Sequence, residues 1–477
     1  MPRRCLLLLI VPAFLILPNG RTQQPAKPAG GTVRDWGAKA DGSDDWRAIQ
    51  NAVDAGGHIH FPSGTYHVSR PIVVELARVG PVAVTGSAAR VVMAGEGPAF
   101  KFVGTHAGTA APETVKDDVW DRQRRPAIDG IEIQGGHERA TGIEATGTMQ
   151  LTITRVHIRK CSHGIHLTGR NRNVTIADSH VYHNTGIGVF LDKVNLHQIN
   201  VTGSHVSYNA GGGIACVGGE VRNLQIAGCD LEANHSRTGP PTANVLIDST
   251  GGTNAEVAIT GNTIQHTRNA PGSANVRVKG PTTPSKGIDE RRDGHVTISG
   301  NVLSDTAVNV HLDHARGVVI TGNTFWTGLE YNLLAEHSTA VVVGANNLDR
   351  NPRYFREEDK ATDAVLFRDC TDCTVTGLQL KGARHAPAGL ALERCDRVSV
   401  TGVSVLDCDG VGVWLKDVTR SRVTGCLIRD DRPGATSVSM RTAGGSENLI
   451  ADNVLGRPHE IQRGVGAVER NYEPWRK

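Results

Sequence analysis

The sequence predicts an all-β solenoid of stacked parallel coils, and three observations carry that prediction. Val296-Thr-Ile298-Ser-Gly300-Asn301 returns about 22 residues later as Val318-Val-Ile320-Thr-Gly322-Asn323. A repeat of that length is one supersecondary unit that buries its apolar face only by stacking on its neighbours. Of the 477 residues 56 are glycine, which suits a tight turn in every coil. Aromatic residues make up only 4% against 39% hydrophobic residues overall, so the core is thin and aliphatic.

The chain begins with Arg3 and Arg4 before an apolar run over residues 5–17. That run is too short to span a bilayer and has the form of a secretory signal peptide, here placed at 1–22. The expectation is a secreted or periplasmic protein, and no later run is apolar enough to cross a membrane. Residues 23–31 read as a linker. The net charge of +3 comes without a basic run, which argues against nucleic acid as a partner.

Residues 32–75 form a distinct opening unit. In Asp41-Gly-Ser-Asp-Asp45, Ser43 or Asp44 is expected as the N-cap of a short helix with Trp46, Ile49, Ala52 and Val53 on one face. His58-Ile-His-Phe-Pro-Ser-Gly-Thr-Tyr66-His-Val then reads as strand, turn and strand. This stretch resembles the opening of the pectate-lyase-like superfamily, with its pattern V-x-D-F-G-A-x-x-D-G-x-x-D-D-x-x-A-I-Q-x-A followed by F-P-x-G-x-Y; Trp36 stands for the usual Phe. The resemblance implies a right-handed parallel β-helix whose first coil is covered by the helix. It is specific for the fold and weak for the reaction, because that superfamily holds lyases, glycosidases, epimerases and phage depolymerases.

The β-helix is expected over residues 76–460, with a tail at 461–477. A loop over residues 104–126 interrupts its start. Thirteen first strands follow, centred from Ile131 to Ile450, which makes a rod of roughly 60 Å. Gly-Asn after each strand suits a sharp corner, and Asn side chains stacked there hydrogen-bond from coil to coil. Asn184, Asn209 and Asn234 form a similar column at another corner. Eight cysteines follow Cys5, mostly at repeat positions, and read as buried free thiols. The lone Cys370-x-x-Cys373 has no second pair to complete a zinc site.

A second strand of pattern Gly/Asn-Φ-x-Φ-x recurs in each coil, as in Asn309-Val-His-Leu-Asp313. Its Φ residues point inward, so the others line up outside. The last outward position gives Thr168, Asp192, Val217, Asp248, Lys279, Asp313, Glu336, Arg368, Glu393 and Lys416. The preceding one includes His166, Arg277, His311 and Trp414, with His314 and His337 just beyond. Such charged rows are what a groove for a sugar chain needs. Insertions at 235–241, 266–273 and 348–360 would wall one side, and 281–294 would close the other. Tyr354, Phe355, Trp326 and Tyr331 are candidate sugar platforms. A second patch holds His163, Tyr182, His183, Tyr208, Glu232 and His235.

These rows support an exported enzyme cleaving a polysaccharide, with an anionic one favoured weakly. Asp313 and Glu336 on neighbouring rungs approach the separation of retaining glycosidases, and Asp248 with Asp313 that of inverting ones. The leading expectation is hydrolysis by Asp313, Glu336 and Asp248 with His311. Substrate binding falls to Arg277, Lys279, Asp192, His166, His314, His337, Arg368 and Tyr354. In the alternative, His311 abstracts the C5 proton of a uronate whose carboxylate is neutralised by Arg277 and Lys279, as in a lyase or epimerase. A non-catalytic carbohydrate-binding solenoid is the reading from another class. No cofactor or metal is expected, except that calcium would accompany lyase chemistry.

Overall fold

The computed structural model describes residues 30–476 apart from 110, 267, 283–292 and 355–358. The expected signal peptide, most of the linker, Phe355 and most of the 281–294 insertion therefore lie outside the described residues.

One coil shows how the others are built. Gly294–Ser299 runs into Val302–Leu303 and then Thr306–Asp313, each a strand. The next coil repeats them in parallel as Val318–Thr321, Thr324–Phe325 and Gly328–Glu336. The repeat reading gives two strands per coil, whereas the structure has three. The middle strand is only 2 residues long here, too short for a periodicity of two to register. The middle strands stack into a 16-stranded sheet. The first and third strands join in a 30-stranded sheet, because Ile165–Ala177, Ile187–Thr202 and Gly212–Ala227 each run through both positions without a break.

All of this is a right-handed parallel β-helix. It is longer than the thirteen first strands imply. Sixteen middle strands at about 4.8 Å make a rod of roughly 70 Å. Both ends account for the excess. Gly31–Thr32, at the junction of the expected linker and opening unit, pairs with Gly57–His60, which pairs in turn with Val82–Thr85. At the other end Asn448–Ala451 pairs with Gly466–Glu469, so the stack continues into the expected tail. Ile131 is not a strand centre but a buried residue in the corner between Ala127–Asp129 and Glu132–Gly135.

The capping helix spans Trp46–Asp54, with Ile49, Ala52 and Val53 buried. Its N-cap is Asp45 rather than Ser43 or Asp44. The Asp45 carboxylate instead accepts from the backbone N–H of Lys39 at 2.7 Å and of Ala40 at 3.2 Å, closing the preceding turn. Asp44 accepts from the Trp46 N–H and from the Ser69 hydroxyl, tying helix to first coil.

Two asparagine ladders hold the corners. Asn262, Asn301, Asn323 and Asn346 pass a side-chain hydrogen bond along at 2.9, 3.0 and 2.9 Å. The glycines before the first three supply the left-handed turn, Gly261 at φ +65°, Gly300 at +65° and Gly322 at +69°, whereas Asn346 follows Ala345. The second ladder runs Asn184, Asn209, Asn234, Asn244, Asn275, Asn309, Asn332, every step 2.7 or 2.8 Å. It changes source midway: early coils supply the amide from the corner, later coils from within the third strand. Glycine makes the exchange fit, since a Cβ on Gly213 would lie 2.8 Å from Asn234 Nδ2. Cys161 and the seven cysteines after it are all buried and unbridged.

Candidate functional site

Strand register decides which side chains meet on the outer face of the third strands. Asp192 stands opposite Val217, then Asp248, Lys279, Asp313, Glu336, Arg368, Glu393 and Lys416, one per rung. Two residues earlier on each strand, the row runs His166, Phe190, Ala215, Leu246, Arg277, His311, Leu334, Leu366, Ala391, Trp414. Alternation along a strand sends both rows outward and Val310 and Leu312 into the core.

At the middle of this face the charges form one connected system. Arg277 Nε donates to His311 Nδ1 at 3.2 Å. That leaves the His311 hydrogen on Nε2, which faces Glu336 Oε2 at 3.3 Å. The other Glu336 oxygen accepts from Arg368 at 2.9 Å, and Arg368 reaches on to Glu393 at 3.1 Å. Burial, and after it the adjacent Arg277 charge, holds the imidazolium of His311 below its usual range. Burial likewise lowers Arg277. Arg277 is also anchored to the Gly272 carbonyl of the 266–273 insertion. Arg268 in that insertion pairs with Asp359 of the 348–360 insertion at 2.8 Å, so the two walls are linked.

The other expected site residues divide. Lys279 lies between Asp248 and Asp313 on the same row. The Asp248 carboxylate is engaged within its own strand, accepting from the Thr250 N–H at 2.9 Å and hydroxyl at 2.6 Å. Asp192 pairs with His166 at 3.2 Å, four and five rungs from His311 respectively, with His166 stacked on Phe190. Tyr354 is exposed and stacked on Trp326. The second patch comes apart: His163 lies beside His166 and Phe190 on the third-strand face. Tyr182, His183, Tyr208 and Glu232 instead line a cleft of about 350 Å³ with His180 and His205 on the middle strands' side.

Beyond His311 the earlier row becomes apolar, with Leu334, Leu366 and Ala391 buried against Tyr331 and Trp414, while the later row stays charged through Arg368, Glu393 and Lys416. One feature of this face was not legible in the sequence: Asp313, His314 and His337 present one oxygen and two imidazole nitrogens within 4.8 Å of one another. Asp313 and His314 are adjacent, but His337 comes from the next coil, and no local spacing announces it.

A family profile described as "right handed beta helix region" matches residues 117–231. The chain is a right-handed parallel β-helix protein. A second profile, "periplasmic copper-binding protein (NosD)", matches 236–463 of this β-helix. No curated protein matches the sequence. Among solved structures, the β-helix is similar to the A-module of the Azotobacter vinelandii mannuronan C-5 epimerase AlgE6. The identity is 16%, over 93% of this chain and 98% of that one, with a TM-score of 0.32. It is also similar to a tailspike protein of E. coli bacteriophage HK620 solved with a pentasaccharide, at 12% identity over 88% and 78%, TM-score 0.47. The Dettilon tailspike protein gives 12% over 88% and 68%, TM-score 0.48. No helix among the described residues is long and apolar enough to cross a membrane.

Proposed function

We propose that this β-helix acts on an anionic polysaccharide along the outer face of its third strands, and that His311 abstracts the C5 proton of a uronate unit. The observation that carries the reading is the setting of His311: one nitrogen on Arg277 and the other on Glu336. A uronate carboxylate would replace His311 as the partner of Arg277, with Lys279 on the next strand position but one. That frees the Nδ1 lone pair for the C5 hydrogen. The electron pair left behind spreads into the carboxylate held by the two cations, and Glu336 steadies the imidazolium through Nε2–H. From there the C4–O bond breaks and the imidazolium returns the proton to the departing oxygen, leaving a C4–C5 double bond. Delivery of a proton to the opposite face of C5 by a second acid, in place of C4–O cleavage, gives the epimer.

Hydrolysis by paired carboxylates is the weaker reading on this face. It needs one carboxyl to donate a proton to the departing oxygen. Both Glu336 oxygens already accept hydrogen bonds, Asp313 accepts from His314, and Asp248 accepts from Thr250 of its own strand.

The test is incubation with a panel of uronate and neutral polysaccharides in D2O, following ultraviolet absorbance, reducing ends and deuterium at C5. Absorbance or deuterium uptake is expected on a uronate polymer, reduced about 10²- to 10⁴-fold in His311→Ala. Reducing ends with neither signal, lost in Asp313→Asn, would replace this reading with hydrolysis. Binding without any turnover would leave a carbohydrate-binding solenoid.

A further inference from the structure

The corner at the end of the third strands carries a second arrangement, independent of the reaction assigned above. His314 and His337 hold the same place in successive coils, both in left-handed backbone at φ 52° and 50°. Each is fixed by its backbone N–H, His314 to the Glu336 carbonyl at 3.0 Å and His337 to the Arg368 carbonyl at 2.9 Å. Their rings stack 4.6 Å apart with an interplanar angle of 16°. Both Nδ1 atoms face one oxygen, Asp313 Oδ1, at 2.6 Å from His314 and 3.8 Å from His337. The far side of His337 is oriented in turn, with Nε2 3.7 Å from Asp369, which Arg394 grips at 2.7 and 2.8 Å.

A ladder of surface charges explains His337, Asp369 and Arg394. It does not explain two imidazoles directed at a single carboxylate oxygen. At 3.8 Å the His337 nitrogen is too far from Asp313 Oδ1 for a hydrogen bond, and two protonated rings stacked this closely would repel each other. Two nitrogens and an oxygen converging on one point is a coordination pattern, and a carboxylate behind an imidazole is the usual outer-shell support for it.

We infer that Asp313, His314 and His337 form a binding site for a divalent transition metal of the Cu²⁺ or Zn²⁺ kind. The donor set favours these ions over Ca²⁺ or Mg²⁺, which take oxygen ligands. Tetrahedral zinc with bonds of about 2.1 Å sets its ligands about 3.4 Å apart. The separations present, 2.6 and 3.8 Å, bracket that value. A bound ion lies in the plane of each imidazole, so the stacked rings must tilt toward each other. His337 has the freedom to do so, its side chain being 47% exposed against 22% for His314. Three protein ligands at a solvent-facing corner leave a position open for water or an anionic group. The corner adjoins the row of Lys279, Asp313 and Glu336, so the ion would sit at the lip of the groove.

The test is titration of the whole protein with Cu²⁺ and with Zn²⁺ by calorimetry, together with paramagnetic resonance of the Cu²⁺ form. One equivalent is expected, with hyperfine coupling to two imidazole nitrogens. His337→Ala and His314→Ala should each weaken binding more than about 100-fold, beyond the ~10–100-fold loss seen on changing outer-shell partners. Asp369→Asn should weaken it within that smaller range and leave both nitrogen couplings in place. The inference fails if the His314→Ala/His337→Ala variant, shown folded by circular dichroism, binds as the parent does. It fails equally if the resonance shows no histidine nitrogen, or if Ca²⁺ binds and Cu²⁺ and Zn²⁺ do not.

Discussion

At the scale of single residues, the groove depends on charges that are fully engaged with one another. Arg350 and Asp363 show it at the wall. They pair at 2.9 Å with side chains only 10% and 4% exposed, and Asp363 also accepts from the Gly328 N–H at 2.9 Å. The pair clamps the end of the 348–360 insertion onto the coil that carries His311's neighbours. Replacing Arg350 with Met strands a buried carboxylate and should cost about 3–5 kcal/mol in denaturant unfolding. Burial pushes Asp363 from 3.8 up to about 6, despite the opposing pull of the Gly328 N–H and Arg350. A folded-state value above the unfolded one means that the folded protein holds the extra proton, so this group's contribution to stability is greatest below 3.8 and falls as pH rises toward 6. Asp363→Asn should remove that slope. The stability difference between parent and variant, measured across this window, checks it, and a flat difference would refute it.

At the scale of elements, the asparagine ladders set the strength of each corner. Asn323 Nδ2 donates to Ile298 O and Asn346, and its Oδ1 accepts from the Asn301 side chain and backbone. Alanine there leaves several buried groups unsatisfied at about 1–3 kcal/mol each, so a loss of roughly 3 kcal/mol or more is expected. Asn471 ends a similar run on Asn453 and is only half-buried, and its alanine variant should lose no more than about 1 kcal/mol. Equal losses at both places would show that the ladder does not act as a buried network. These corners were legible in Ser/Thr-Gly-Asn. The change of source from Asn234 to Asn244 was not, because it depends on an insertion between them being folded out of the way.

At the scale of the whole molecule, a stack of coils has neighbours only above and below, so its ends carry disproportionate weight. The Trp46–Asp54 helix covers the open end, where an uncovered strand edge would template association. Deletion of residues 30–56 should convert the protein to large assemblies in light scattering while leaving parallel-strand circular dichroism. A soluble monomer would mean that the helix does no such work.

The sequence by itself determined the solenoid, its corners, and which third-strand residues face out and in what order, since a strict two-residue alternation and a recurring turn are local properties. It misjudged the ends, where Gly31–Thr32 and Gly466–Glu469 pair without a recognisable repeat. Past the Tyr66 and Val91 strands it also passed over the middle strands, most of them too short to show a period. Only the tertiary structure decided how the outward residues spend their hydrogen bonds. Asp248 was aligned with Asp313 and Glu336 by register, yet its carboxylate is engaged within its own strand. His311 lies between Arg277 and Glu336, and His337 meets Asp313, because coils 22 to 34 residues apart in sequence come to rest one strand spacing from each other. Contacts of that kind exist only once the stack has formed.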